Sequence, residues 1–205
     1  MKHTILKTIL AFSAAFFALS ASAIDHPKAT LPTVSADRFA LVQDGTPVTI
    51  IVNKSEDTAI LRAANDLVKD FGRVTCNMPA LVESATADRA IIIGSLESPF
   101  IKDMVSRGKF DLSSLQGCRE KYLIQTVTAP VEGIGEALVI AGSDRRGVVY
   151  GIYEISEQIG VSPWYDWADV PVARQENLSI ARGSYTAGEP AVRYRGIFLD
   201  RKSVV

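Results

Sequence analysis

Histidine is almost absent from this chain of 205 residues, which contains only His3 and His26. A zinc site with imidazole ligands or a Ser-His-Asp triad therefore has no histidine to use in the body of the chain. An excess of one charge is missing as well, because 22 basic residues face 23 acidic residues. That balance excludes the basic surface that nucleic-acid-binding proteins need.

Cysteine is equally scarce, with Cys76 and Cys118 as the two copies. Two cysteines in a chain of this length do not make a disulfide framework, and their separation in space cannot be read from the sequence. Two separate buried thiols are the favoured interpretation. A disulfide between them, formed in an oxidising compartment, is the alternative.

The apolar run near the N-terminus is short. It covers Ile9–Leu19, about half of the roughly 20 apolar residues that a membrane-spanning helix requires. Two lysines and a histidine precede the run, and Ala21-Ser22-Ala23 follows it, which is the three-part pattern of a secretory signal peptide. The pattern predicts a signal peptide at residues 1–23, export to the periplasm or medium, and no membrane association afterwards. A surface or core helix is the alternative.

The first structured region is predicted to be a β-hairpin followed by a helix. Arg38–Gln43 and Pro47–Asn53 are β-rich and flank the turn dipeptide Asp44-Gly45, whereas residues 24–37 have no apolar period and are interpreted as a linker. After Ser55-Glu56-Asp57, apolar residues recur at gaps of three and four, which predicts a helix that Gly72 ends. The stripe consists of Ile60, Ala63, Ala64, Leu67, Val68 and Phe71.

Further strands and two more helices are predicted along the chain. The strands are Ala80–Glu83, Arg89–Gly94, Tyr122–Val127, Ala137–Ala141 and Asn177–Ala181. One helix begins at Ser98-Pro99 and stops at Gly108, and the other runs from about Asp144 to Gln158 with Gly160 as its C-cap. Paired strands between helices favour a mixed sheet over a strictly parallel one. The sequence therefore predicts an α+β domain at residues 38–182, in which about three helices form a second layer on one mixed β-sheet.

The turn after Ala137–Ala141 resembles a phosphate-binding loop, because a strand enters a glycine-containing turn and a helix follows. Asp144, however, stands where a dinucleotide site has its middle glycine, and its carboxylate would repel a pyrophosphate. Ser143 or Asp144 is therefore expected to cap the helix, and no cofactor is predicted. A nucleotide-dependent enzyme remains the weakest alternative. Gly147 and Gly151 in the same helix are expected to mark close packing.

The aromatic residues Trp164, Tyr165 and Trp167 are the candidates for substrate binding. Their rings could stack on sugars, although burial at a domain junction is the commoner role for such residues. No catalytic residue or metal ligand is assigned, because the carboxylates show no spacing diagnostic of acid–base chemistry. Those considered are Glu154, Glu157, Asp166, Asp169 and Asp200.

Two segments resemble a known family. Residues 142–171, GSDRRGVVYGIYEISEQIGVSPWYDWADVP, look like the signature of glycoside hydrolase family 115, the xylan α-glucuronidases. Tyr194–Phe198 resembles the first strand of that family's catalytic (β/α)₈ barrel. The resemblance implies an N-terminal domain similar to the one that precedes the barrel in β-hexosaminidases. It also implies removal of glucuronic or 4-O-methylglucuronic acid from xylan or related glycans by carboxylic acids on barrel loops, with inversion.

The chain departs from this family in two places. Where the family usually continues with Asn-Asp-Glu, this chain reads Asp200-Arg201-Lys202, and Asp166 stands where the family tends to have a tryptophan. Residues 183–205 are therefore interpreted as a linker and the first strand of a truncated barrel. The resulting hypothesis is the non-catalytic N-terminal part of an exported hydrolase whose missing barrel acts on glucuronic-acid-bearing glycans. A stand-alone carbohydrate-binding or interaction module is the alternative.

Overall fold

The structure is a computed structural model that describes residues 29–196, so the predicted signal peptide, the end of the predicted barrel strand and Asp200 lie outside the described residues. The strands are β1 Thr30–Leu31, β2 Arg38–Gln43, β3 Thr46–Pro47, β4 Thr49–Val52, β5 Leu81–Val82, β6 Ala87–Ser95, β7 Tyr122–Thr128, β8 Ile134–Gly142, β9 Leu178–Ala181 and β10 Ser184–Tyr185. The helices are α1 Thr58–Thr75, α2 Pro99–Ser106, α3 Arg145–Gln158 and the single turn α4 Tyr165–Ala168.

A six-stranded mixed sheet forms the centre of the domain, in the order β10-β7-β8-β6-β4-β5. Strands β8, β6, β4 and β5 run parallel, while β7 and β10 are antiparallel to their neighbours. The predicted α+β class with a mixed sheet is confirmed. Strand β6 is buried on both faces, as its continuous apolar sequence indicates.

Helices cover both faces of this sheet. Leu67 of α1 and Ile155 of α3 belong to a core cluster with Ile91 and Ile93 of β6. The alternate residue Ile92 faces the other side, where it shares a second cluster with residues of α2. Helix α2 thus adds a third layer, because successive side chains of a strand point to opposite faces.

A second, four-stranded antiparallel sheet has the order β1-β9-β2-β3, so the prediction of one sheet was wrong. The segment predicted as one strand, Pro47–Asn53, divides between the two sheets. Thr46–Pro47 pairs with β2 as the predicted hairpin, whereas Thr49–Val52 lies between β6 and β5. Pro47 has no N–H with which to extend the hairpin ladder, and Ile50 becomes completely buried in the central position. Strands β1 and β10 come from the two stretches predicted as linkers, so the sheets reach beyond residues 38–182.

Helix α1 begins as predicted but ends later. The Asp57 carboxylate accepts a hydrogen bond from the backbone N–H of Ala59 at 2.8 Å and caps the helix. The helix then continues through Gly72 to Thr75, because the apolar stripe extends to the fully buried Val74. Cys76 ends it in the left-handed conformation, at φ 65°.

Both cysteines are free thiols, and neither is buried. Cys76 is exposed just beyond α1, and Cys118 is half-buried in the loop before β7. The expectation of two buried thiols was therefore wrong, because both residues lie in turns at the surface rather than on an element that packs against the core. No helix within residues 29–196 is long and apolar enough to cross a membrane.

Candidate functional site

The turn after β8 is a capping site. Asp144 accepts hydrogen bonds from the backbone N–H of Gly147 through Oδ1 and from that of Glu120 through Oδ2, both at 2.9 Å. The carboxylate therefore occupies the N-terminus of α3, the position that a bound phosphate would need. Ser143 instead accepts from the N–H of Lys121 at 3.0 Å. The predicted helix cap is confirmed, and it is Asp144.

The two glycines of α3 allow close packing, as predicted. A Cβ at Gly147 would lie 2.3 Å from the carbonyl oxygen of Lys121, and a Cβ at Gly151 would lie 2.8 Å from Ile140 Cγ2. Any larger residue at these positions would push α3 away from β7 and β8.

The predicted aromatic candidates lie on and beside the single turn α4. Trp164 is 65% exposed and Trp167 is 74% exposed, so no element within residues 29–196 covers either side chain. No residue of α4 is buried, because this one turn stands between the end of α3 and an irregular segment. Tyr165 is half-buried, and the guanidinium of Arg73 stacks 4.3 Å from the centre of its ring.

A pocket of about 410 Å³ lies beside Tyr165, between α1 and α3. We call it the α1–α3 pocket. It is lined by Asp66, Lys69, Asp70 and Arg73 of α1, by Tyr153 and Ser156 of α3, and by Val161, Ser162, Pro163, Tyr165 and Asp166. A shallower depression shares Arg73, Tyr165 and Asp166 and extends the surface to Arg174.

Four charged side chains of the pocket, those of α1, are paired. Lys69 Nζ lies 2.9 Å from Asp66 Oδ1, and the Tyr153 hydroxyl donates to Asp66 Oδ2 at 3.0 Å. Partial burial and then the hydrogen bond to Asp66 raise the pKa of Tyr153 to about 12. Partial burial alone would raise the pKa of Asp66, but the hydrogen bonds from Lys69 and Tyr153 outweigh it and hold that pKa below its usual value. Asp70, which is buried, pairs with Arg73.

One polar group of the pocket has no such partner. Ser156 is 4% exposed, and its Oγ has no hydrogen-bond partner among the described residues. Sequence reasoning missed this pocket. The sequence feature that marks it is two oppositely charged pairs at i,i+3 on α1, Asp66 with Lys69 and Asp70 with Arg73. By themselves, such pairs are typical of a solvated helix face.

A second polar cluster surrounds Glu120, which is buried and has a left-handed backbone at φ 55°. Its carboxylate pairs with Arg146 at 2.7 Å and with Arg195, which also donates to the hydroxyl of Tyr150 at 2.9 Å. The hydrogen bond from Arg195 is the main cause that lowers the pKa of Glu120. These contacts attach the segment that ends at residue 196 to the domain, and the backbone N–H of Arg119 supports them by donating to Glu189 at 2.9 Å.

Several carboxylates within residues 29–196 have structural partners. Glu154, for example, accepts from the hydroxyl of Tyr122 at 3.0 Å and from the side chain of Gln158. In this range every carboxyl group with a shifted pKa has it lowered, namely Asp37, Asp57, Asp66, Glu83, Asp111 and Glu120. No group of three His, Cys, Asp or Glu side chains in the same residues is placed to hold a metal ion.

Comparison with known proteins finds similarity at the level of structure. No protein-family model matches the chain, and no curated protein matches it. A solved family GH115 4-O-methyl-α-glucuronidase with specificity for decorated arabinogalactans is 29% identical over 72% of this chain, with a TM-score of 0.60. A GH20 β-N-acetylhexosaminidase from Streptomyces coelicolor A3(2) is 12% identical to this chain. The match covers 78% of this chain and 25% of that one, with a TM-score of 0.45. This chain spans 18% of the glucuronidase chain. The predicted resemblance to glycoside hydrolase family 115 is therefore confirmed over the greater part of this chain.

Proposed function

We propose that this chain is the non-catalytic front part of an exported glycoside hydrolase that acts on glucuronic-acid-bearing glycans. The observation that carries the proposal is the likeness to the 4-O-methyl-α-glucuronidase, which extends over most of this chain but over 18% of that enzyme. Glucuronoxylan and decorated arabinogalactan are the candidate substrates of the whole enzyme. Both can carry 4-O-methylglucuronic acid as a side group, so the proposed reaction is hydrolysis of that glycosidic bond.

The state of the carboxyl groups supports a non-catalytic role. An inverting glycosidase needs one protonated carboxylic acid and one carboxylate, separated by about 6.5–9.5 Å so that a water molecule fits between the carboxylate and the sugar. The general acid requires a raised pKa. Within residues 29–196 the shifts run in the opposite direction, because hydrogen bonds and ion pairs stabilise the charged form.

The Glu120 cluster supports a position in front of a further domain. Arg195 lies inside Tyr194–Phe198, the segment that resembles the start of the barrel, and it is bound to Glu120 and Tyr150. The domain thus holds the chain at the start of the segment that resembles the first barrel strand. We infer that the ion pair orients whatever follows.

The test is an assay for release of 4-O-methylglucuronic acid from glucuronoxylan and from decorated arabinogalactan. We expect none from the purified 205-residue protein above a heat-inactivated control, and release from a longer form in which an intact barrel follows residue 199. Release by the short protein would contradict the non-catalytic role. Failure of the longer form on both glycans would contradict the substrate class.

A stand-alone carbohydrate-binding module is the second candidate, and the exposure of Trp164 and Trp167 favours it. Large exposed aromatic surfaces mark binding sites more often than ordinary protein surface. The two candidates differ in what the short chain binds without a barrel. A complete binding module should bind glucuronoxylan or decorated arabinogalactan fragments in a titration, whereas the front part of an enzyme should bind them weakly or not at all.

A further inference from the structure

A second pocket, of about 350 Å³, lies between α3 and the edge strand β10. We call it the α3–β10 pocket. Ala29, the first residue that the structure describes, is part of its wall. The chain that precedes Ala29, residues 24–28, is therefore attached at the pocket itself.

Glu154 is the one charged residue among the described residues that line this pocket. It is half-buried, and its carboxylate accepts hydrogen bonds from the hydroxyl of Tyr122 and from the side-chain amide of Gln158, both at 3.0 Å. Burial and then the charge of Glu154 raise the pKa of Tyr122, so this donor stays neutral. Within residues 29–196 no lysine or arginine forms an ion pair with Glu154. A half-buried carboxylate in this state attracts a cation, because partial burial removes water that would otherwise solvate its charge.

Lys28 provides a cation within reach of that carboxylate. The side-chain amide of Gln158 accepts from the backbone N–H of Ala29 at 2.9 Å and donates to Glu154 at 3.0 Å. The two hydrogen bonds and the amide between them place the Glu154 carboxylate within about 8 Å of the Ala29 nitrogen. Lys28 directly precedes Ala29, and its four-carbon stem spans about 6 Å from Cα to Nζ. Its ammonium group can therefore contact Glu154 without any movement of the domain.

The rest of the wall suits the apolar atoms of the same segment. Ile124, Ile155 and Ile180 line the pocket. A lysine side chain packs its methylene groups on such a surface while its ammonium group reaches a polar partner. Pro27, the preceding residue, has a fixed φ and so reduces the conformational entropy that the segment loses when it becomes ordered. A segment attached at the rim also has a high effective concentration, which favours it over a free ligand or another molecule.

We propose that residues 24–28 dock in the α3–β10 pocket, where the Lys28 ammonium group pairs with the Glu154 carboxylate. The docked segment covers the apolar wall and holds the start of β1 against α3. Because the predicted signal peptide ends at Ala23, these residues are the first five of the predicted mature protein. The docking does not depend on the proposed function.

The first experiment is zero-length cross-linking of the purified protein with a carbodiimide, which joins an amine to a carboxylate that it already contacts. Mass spectrometry of the digested protein should identify a product that links Lys28 to Glu154. The pair Lys54 and Glu83, in which Nζ lies 2.8 Å from Oε2, is the internal positive control. A Lys54–Glu83 product without a Lys28–Glu154 product would overturn the proposal.

The second experiment is a double-mutant cycle followed by thermal unfolding near pH 7. Lys28→Ala should lower the melting temperature by about 1–4 °C, the effect of one partly buried ion pair. It should have little effect in a Glu154→Gln background, in which the glutamine still accepts from Tyr122 but carries no charge. The control background is Glu157→Gln, because Glu157 is exposed on the same helix and does not line the pocket. Lys28→Ala should keep its full effect there, and equal effects in the two backgrounds would overturn the proposal.

Discussion

Replacement of Gly147 by alanine tests whether the close contact between α3 and β7 limits the stability of the domain. Glycine within a helix is less stable than alanine by up to about 1 kcal/mol, so propensity alone predicts that Gly147→Ala stabilises the protein. The tertiary structure predicts the opposite. The added Cβ would lie 2.3 Å from the carbonyl oxygen of Lys121, which is a backbone atom and cannot rotate away.

The expected magnitude follows from that distance. An ordinary contact needs about 3.4 Å, so either α3 or the Lys121 carbonyl has to move by about 1 Å, and overpacking of this kind costs about 1–3 kcal/mol. The same carbonyl accepts a hydrogen bond from the N–H of Ser143 at 2.9 Å, and weakening it costs up to about 1 kcal/mol more. After the gain in helix propensity, Gly147→Ala should destabilise the protein by about 2 kcal/mol. For a protein of this size that corresponds to a fall in melting temperature of about 4–8 °C.

The assay is thermal unfolding followed by circular dichroism, with Gly72→Ala as the matched control. Gly72 also lies inside a helix, but its added Cβ would meet the side chain of Met78 at 3.0 Å. Met78 is 68% exposed and flexible, so it can move into solvent at little cost. Gly72→Ala should therefore melt at the same temperature as the unmodified protein or slightly higher. A Gly147→Ala protein that melts at or above the unmodified temperature would refute the packing argument.

Four further predictions concern the fold and the chain termini. Leu67→Asp places an unpaired charge at a fully buried position and should abolish cooperative unfolding followed by circular dichroism. The control Asn65→Asp, on the exposed side of α1, should unfold cooperatively. An unchanged transition in Leu67→Asp would mean that the buried stripe is misassigned. The pKa of Glu120 is lowered in the folded protein, so the Glu120 carboxylate stabilises the fold at pH values above the pKa of the unfolded carboxyl, and this contribution is lost as the pH falls through the lower folded pKa. Glu120→Gln should therefore have a lower melting temperature near pH 7 and lose less stability on acidification. The same variant should be cut faster by trypsin at Arg193 or Arg195 than the exposed-site control Glu132→Gln, and equal rates would show that the ion pair does not hold the segment. N-terminal sequencing of the exported protein should begin near Ile24, and an intact Met1 in a cytoplasmic product would contradict the predicted signal peptide.

Features set by neighbouring residues could be predicted from the sequence. The apolar stripe of α1 and the cap at Asp144 depend on the spacing and type of residues within a few positions of each other. The packing role of Gly147 was indicated by a glycine inside a helix, where it lowers stability, although its contact, Lys121, is distant in the sequence. The family resemblance in residues 142–171 belongs to the same class, because it lies in one continuous segment. For these features the amino-acid pattern already contains the physical cause.

The tertiary structure decided what depends on distant parts of the chain. The second sheet exists because β9 pairs with β2, for example Phe39 with Ile180, and no local pattern links residues so far apart. The exposure of Trp164 and Trp167 was settled in the same way, because burial depends on whether another element covers the turn. The α1–α3 pocket is the clearest case. Its charged residues have the pattern of a solvated helix face, and only the packing of α3 beside α1 brings Ser156 to them and encloses a cavity.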